Sequence, residues 1–171
     1  IGNGTAEVHR LAMRVGGDLT VAAGGAVNVD GKGYGSGRGP GAGSAAVANW
    51  QPGASHGGLS GEWSGPWASW VTYGSVRTPT NLGSGGYGLG GGAAEIQVDG
   101  DTVLNGSIQA RGMSASLAGT AGGSIWLRTR TLTGGGAIDA SAGANVQYGG
   151  GGGRIAVTLS EGNDFGSVTM R

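Results

Sequence analysis

Residues Gly122–Gly143 read Gly-Gly-Ser-Ile-Trp-Leu-Arg-Thr-Arg-Thr-Leu-Thr-Gly-Gly-Gly-Ala-Ile-Asp-Ala-Ser-Ala-Gly. Two runs, Ile125-Trp126-Leu127 and Ala137-Ile138-Asp139-Ala140, alternate in character with glycines between them. Alternation with period two marks a strand with one buried face. Glycine clusters on either side mark sharp bends, because a bend needing positive φ penalises any side chain.

The plan recurs. Met13-Arg14-Val15, Ile96-Gln97-Val98 and Ile155-Ala156-Val157 correspond to Ile125-Trp126-Leu127. Each is followed by a second pair: Val27-Asn28-Val29, Ile108-Gln109-Ala110, Ile138-Asp139-Ala140 and Val168-Thr169-Met170. Turn residues separate the pairs, as in Ala23-Gly24-Gly25, Asn105-Gly106 and Gly162-Asn163-Asp164. A third short strand fits before that turn at Leu19–Val21, and less cleanly at 102–104 and 131–133. The last three copies follow one another closely. The first stands apart from the second by an insertion at about residues 34–87.

A repeat of this size cannot bury its apolar edge alone. Stacking copies pairs their backbones and makes the inward residues one continuous core. The expectation is an all-β chain: a parallel β-helix (β-solenoid) of about four rungs, forming a single domain over residues 1–171. The insertion at 34–87 then lies between the first and second rungs. An antiparallel glycine-rich sandwich is the competing architecture. In the solenoid the flanking members of every pair point inward, and the middle residues form two outward columns. These columns read Arg14, Gln97, Trp126, Ala156 and Asn28, Gln109, Asp139, Thr169. Neither repeats one residue type, which argues against the regular threonine-type array of an ice-binding face.

The insertion differs in kind. It opens on Gly33-Tyr-Gly-Ser-Gly-Arg-Gly-Pro-Gly-Ala-Gly43 and carries Trp50, His56, Trp63, Trp67, Trp70 and Tyr73. A connection this long without its own secondary structure is usually functional. Its tryptophans suit three roles: a small core pinning the loop to the solenoid, an interface with another subunit, or a stacking platform for sugar rings. Trp is largely buried on average, and the loop needs apolar burial to offset its ordering entropy, which favours the first role. Trp126, outward in its strand, is the surface such a loop would cover. The candidate interface or glycan contacts are therefore Trp50, His56, Trp63, Trp67, Trp70, Tyr73 and Trp126.

Composition narrows the function classes. Glycine supplies 43 of 171 residues, against an average of about 7 %, yet no Gly-X-Y period marks collagen. Ten basic residues balance ten acidic ones and Lys32 is the one lysine. A nucleic-acid partner would require a clustered cationic surface. No apolar run has the length of a membrane span. Cysteine is absent, so disulfides and thiolate metal sites are excluded. Sparse charge with abundant Gly, Ser, Thr and Asn suits an extracellular or cell-surface protein. A chain opening on Ile1 reads as processed, or as cut from a longer one.

The chemical motifs are thin. His9 and His56 stand alone, without a second ligand at metal spacing. Asp99-Gly-Asp101 holds too few carboxylates for an EF-hand, so no cofactor is expected beyond, at most, an adventitious calcium. Gly86-Tyr-Gly-Leu-Gly-Gly91 satisfies a dinucleotide fingerprint but lacks the strand and helix that give it meaning. Asp18 and Asp101 occupy equivalent repeat positions, and with Arg130 they are the nearest approach to a lyase-like group. No catalytic constellation follows from them, and the chain reads as no enzyme.

In order along the chain, eight segments resemble a known module: Val8-His-Arg-Leu-Ala-Met-Arg-Val-Gly-Gly-Asp-Leu-Thr-Val, Gly31-Lys-Gly-Tyr, Gly39-Pro-Gly-Ala-Gly, Ser55-His-Gly-Gly-Leu, Tyr73-Gly-Ser-Val, Pro79-Thr-Asn-Leu-Gly-Ser-Gly-Gly, Gly122-Gly-Ser-Ile-Trp-Leu and Gly149-Gly-Gly-Gly-Gly-Arg-Ile-Ala-Val. The module is a glycine-rich repeat of large secreted or surface proteins of bacteria such as planctomycetes and verrucomicrobia. The resemblance implies an exported, solenoidal structural or adhesive module, and it carries no catalytic motif to these positions.

Open solenoid ends present unpaired backbone groups. The expectation is therefore a structural subunit or module that stacks head to tail, on copies of itself or adjacent tandem modules, into a surface fibre or layer. The competing class is a carbohydrate-binding adhesin that grips surface polysaccharide with the tryptophan loop.

Overall fold

The computed structural model describes residues 3–42, 53–61, 71–114, 116–144 and 147–171. Among them there are eleven strands and no helix. The first repeat copy supplies β1 (Leu11–Val15), β2 (Leu19–Val21) and β3 (Ala26–Asn28). The second supplies β4 (Ala93–Val98), β5 (Thr102–Leu104) and β6 (Ser107–Gln109). The third supplies β7 (Ser124–Thr129), β8 (Leu132–Thr133) and β9 (Ala137–Asp139). The fourth supplies β10 (Arg154–Leu159) and β11 (Thr169–Met170).

Corresponding strands of successive copies lie side by side, all parallel. They form three sheets, ordered β1-β4-β7-β10, β2-β5-β8 and β3-β6-β9-β11. Antiparallel hairpins, the basis of the sandwich alternative, are absent among the described residues. The three sheets face one apolar interior. Ile96, Leu104, Ile108, Ile125, Leu127 and Ile138 are fully buried there. At about 25 cal/mol per Å² of apolar surface removed from water, these side chains are the main source of stability in the sheets.

The register differs from the alignment of apolar pairs. Met13 stacks on Ile96, but Ile96 stacks on Leu127 and Leu127 on Val157. Likewise Ile138 pairs with Met170 instead of Val168. Each slip is two residues. It leaves every side chain on its expected face, since strand side chains alternate with period two. The outward columns change as a result. One reads Ala12, Glu95, Trp126, Ala156 and its neighbour Arg14, Gln97, Arg128, Thr158. On the third sheet Asn28, Gln109 and Asp139 are followed by Arg171 in place of Thr169, with Arg171 bonded through its backbone to Ile138 and Ala140.

Glycine plays two distinct parts. At turns between the second and third strands of a copy, Gly24 (φ 81) and Gly134 (φ 110) take the positive φ expected of corners. Elsewhere the need is steric. Described stretches of the insertion lie as extended, irregular chain against the glycine-rich leaders of β4, β7 and β10. They are joined to them by backbone bonds such as Ala121 N–H to Ser84 O (3.0 Å), Ala54 N–H to Gly119 O (2.9 Å) and Gly57 N–H to Gly152 O (2.9 Å), and the leaders are joined to one another by Gly91 N–H to Ala121 O (2.9 Å) and Gly122 N–H to Gly151 O (3.0 Å). A Cβ on Gly123 would fall 1.8 Å from the carbonyl oxygen of Gly92, and one on Gly151 would fall 2.0 Å from that of Gly58. Side chains are excluded so that backbones can bond directly, which satisfies buried amides without a sheet ladder.

Candidate functional site

The expected contact residues separate into three groups. Trp50, Trp63, Trp67 and Trp70 lie outside the described residues. His56 and Tyr73 meet inside the molecule, where the insertion docks. Trp126 is on the outer face of the first sheet.

His56 is fully buried. Its Nδ1 lies 2.8 Å from the carbonyl oxygen of Gly122, the residue two before β7. A carbonyl only accepts, so Nδ1 carries the proton and Nε2 is left as an acceptor. Nε2 is buried without a hydrogen-bond partner. The ring packs on that of Tyr73, centroids 4.5 Å apart and tilted by 33°. Burial drives the histidine down from its ordinary 6.5 to about 4, with the Gly122 bond opposing and the nearby Arg154 adding to the fall. At neutral pH the imidazole is uncharged.

Tyr73 is tied at both ends. Its hydroxyl donates to Leu82 O at 2.6 Å and lies 2.8 Å from Ser84 Oγ. Its carbonyl accepts from Arg154 Nε at 2.8 Å, and its amide donates to His56 O at 3.1 Å. Burial raises the phenol well above the usual tyrosine range. Ser84 Oγ also accepts from the Gly41 amide at 2.9 Å. Three stretches of the excursion, around residues 41, 56 and 73–84, thus converge on the third and fourth copies. The geometry is that of a docking core. His56 offers no atom to a ligand arriving from solvent, so the structure gives it a pinning role instead of the expected surface contact.

Neither Ser84 nor Arg154 was legible as a partner. Ser84 sits in a Gly-Ser-Gly-Gly run and Arg154 heads a strand, and no spacing rule links them to Tyr73. Asn3 carries no such sequence signal either. Buried, it accepts from the amides of Val8 and His9 and donates to the carbonyls of His9 and Lys32. Beside it, Glu7, His9, Arg10, Thr80 and Asn81 line a polar surface groove of about 440 Å³.

Trp126 stands beside Glu95 and Ala156 in its column. The Arg128 guanidinium lies 4.1 Å from the centre of its ring and bonds Glu95 Oε1 at 2.7 Å. One face of the indole is therefore covered by its own strand through a cation–π contact. Its Nε1 is buried without a partner, as is the Nε of Arg128.

The carboxylates are spent on neighbouring copies. Asp18 Oδ1 accepts the Asp101 amide at 2.8 Å, and Asp101 in turn takes a two-point grip from Arg130 and a bond from Thr131 Oγ1 at 2.7 Å. The three residues singled out from the repeat do meet at one corner. There Arg130 and Thr131 hold Asp101 down to about 2. Asp30–Arg111 (2.7 Å) and Asp139–Arg171 (3.0 Å) repeat the arrangement on the third sheet. A carboxylate so engaged is a poor general base at neutral pH. Among the described residues no cluster of His, Asp or Glu is built to hold a metal.

Comparison with protein-family models, with characterised proteins and with solved structures gives no match. The geometry of the chain itself carries the functional reading.

Proposed function

We propose that the three parallel sheets are a β-solenoid of about four rungs, a parallel β-helix, that serves as a structural module at the outside of a bacterial cell. In this reading it stacks head to tail on copies of itself or on adjacent modules of the same kind, building a fibre or layer. It performs no catalysis and needs no cofactor.

One observation carries the proposal. β1 and β10 are the edges of the first sheet, and their inward side chains Leu11, Met13, Val15, Ile155, Val157 and Leu159 are only partly covered, whereas Ile96 and Leu127 between them are fully buried. Edge strands with an apolar inward row are templates for further strands. Because all pairings are parallel, an added copy matches strand direction only when its β1 meets β10. This produces an open, heterologous assembly. The ordered glycine motifs that resemble a surface module support the location, as does the low charge.

Electron microscopy and sedimentation of the purified protein test the reading. Linear or layered assemblies are expected, and Val157→Lys, which charges one edge row, should leave monomers with unchanged far-UV circular dichroism. A wild-type protein that stays monomeric at high concentration and low salt would overturn it.

A further inference from the structure

We propose that His56 is an acid-sensitive latch: protonation of its ring releases residues 53–61 and 71–75 of the insertion from the third and fourth repeat copies, while the sheets stay intact.

The latch is built around a ring that has no place for a second proton where it sits. His56 ties the excursion to the leader of β7 by one bond from Nδ1 to Gly122 O, and ties its own segment to residues 71–75 by stacking on Tyr73. A proton added at Nε2 has no acceptor, since that atom is buried and unpartnered. An uncompensated donor in a dry site costs far more than the lost packing. The titratable or charged groups facing the ring are few. Tyr73 faces it from the excursion and is neutral across the relevant range; Arg154 faces it from β10 and repels a second cation. Gly122, from the leader of β7, Ser84, at the Tyr73 hydroxyl, and Asn81, beside Gly74, carry no charge. Glu7 and Tyr34 act on Tyr73, not on His56. Among the described residues no counter-charge is therefore placed to accept an imidazolium.

Release is local because nothing else depends on this ring. Between the two segments and the sheets run backbone bonds such as Gly57 N–H to Gly152 O, Ala54 N–H to Gly119 O and Gly61 N–H to Gly149 O. Behind them lie the buried Ala54 methyl and the half-buried Tyr73 ring, far less apolar surface than the sheet interior holds. In the sheets, by contrast, the buried titratable side chain among the described residues is Asp139 of β9, which is paired with Arg171. The docked ring binds its proton more weakly than a free one. Docking is thus fully favoured above about pH 6.5 and weakens as the pH falls through about 4. Full protonation shifts the open fraction by roughly 300-fold.

Hydrogen–deuterium exchange of the full chain at pH 7 and pH 3.5, corrected for intrinsic rates, reads the latch directly. Peptides covering 53–61 and 71–75 should open roughly 200-fold more at pH 3.5 relative to β4 and β7. In His56→Gln the amide keeps a donor for Gly122 O and takes no proton, so the acid response should vanish even if protection at pH 7 is lower. Unchanged relative protection in the wild type at pH 3.5, or an equal acid response in His56→Gln, overturns the proposal. Should that variant not fold, an NMR titration of wild-type His56 decides: the ring must titrate at the midpoint of opening, and a mismatch overturns the latch.

Discussion

The sheet interior and the glycine layer beside it are stabilised by opposite means. Between β4, β7 and their neighbours, large aliphatic side chains fill space and exclude water. In the layer where residues 53–61 and 83–91 meet the leaders of β7 and β10, the buried side chains are, His56 apart, small ones such as Ala54, Ser55 and Ser84. Backbone carbonyls approach to distances that any Cβ would block, and amide bonds hold the segments together. The first region tolerates a change of shape but not a loss of volume. The second tolerates neither a gain of volume nor any change in backbone path. A quarter of the chain is glycine chiefly because of the second region, and only a minority of those glycines take positive φ.

Substitutions at four positions test that contrast. Gly123→Val should be the most damaging, at more than about 4 kcal/mol, because its Cβ would fall 1.8 Å from a backbone oxygen that cannot rotate away. Chemical denaturation would read it as failure to fold cooperatively. A loss under about 1 kcal/mol would mean that the layer yields, and the comparison would break.

Leu127→Ala, at a fully buried site, should cost about 2–5 kcal/mol, whereas Leu127→Met should stay below about 1.5 kcal/mol. The ratio of those two values sharpens the claim that the interior responds to volume.

Tyr73→Phe removes a donor to Leu82 O and the contact with Ser84 Oγ in the docking core. The expected loss is about 1–2 kcal/mol. It should appear as faster exchange of residues 73–84 with β7 unaffected.

Asp101→Asn should be the mildest. Its bonds to Arg130 and Thr131 sit at an exposed corner, where ion pairs are screened. The folded-state carboxyl lies below its ordinary value, so whatever it contributes is present above about pH 4 and fades as the pH falls toward 2. The melting temperature at pH 7 should not change measurably. A shift of several degrees would assign the corner a structural weight that its exposure does not suggest.

The alternation in Gly122–Gly143 and its three echoes made the strands, their parallel stacking and their inward faces legible before any coordinates. Ile96, Ile125, Leu127 and Ile138 are where period two puts them. The register was not legible, because a slip of two residues preserves every face, and Ile96 meets Leu127 instead of Ile125. Of the expected interface or glycan contacts, His56 and Tyr73 pack on each other where the insertion docks. Their burial, and their dependence on Ser84, Leu82 and Arg154, were hidden in a segment with no periodicity to read.

Local alternation and turn chemistry depend on neighbours in sequence, and so the sequence alone determined an all-β chain of repeated short strands with a long excursion after the first copy. Close approach of one glycine run to another depends on partners tens of residues away. Only the tertiary structure could decide that the glycines of the excursion and of the strand leaders form one hydrogen-bonded layer, that Arg128 covers Trp126, and that His56 is sealed inside with one nitrogen unpaired. Side-chain period is a one-dimensional property of the chain; backbone contact between remote segments is a property of the fold.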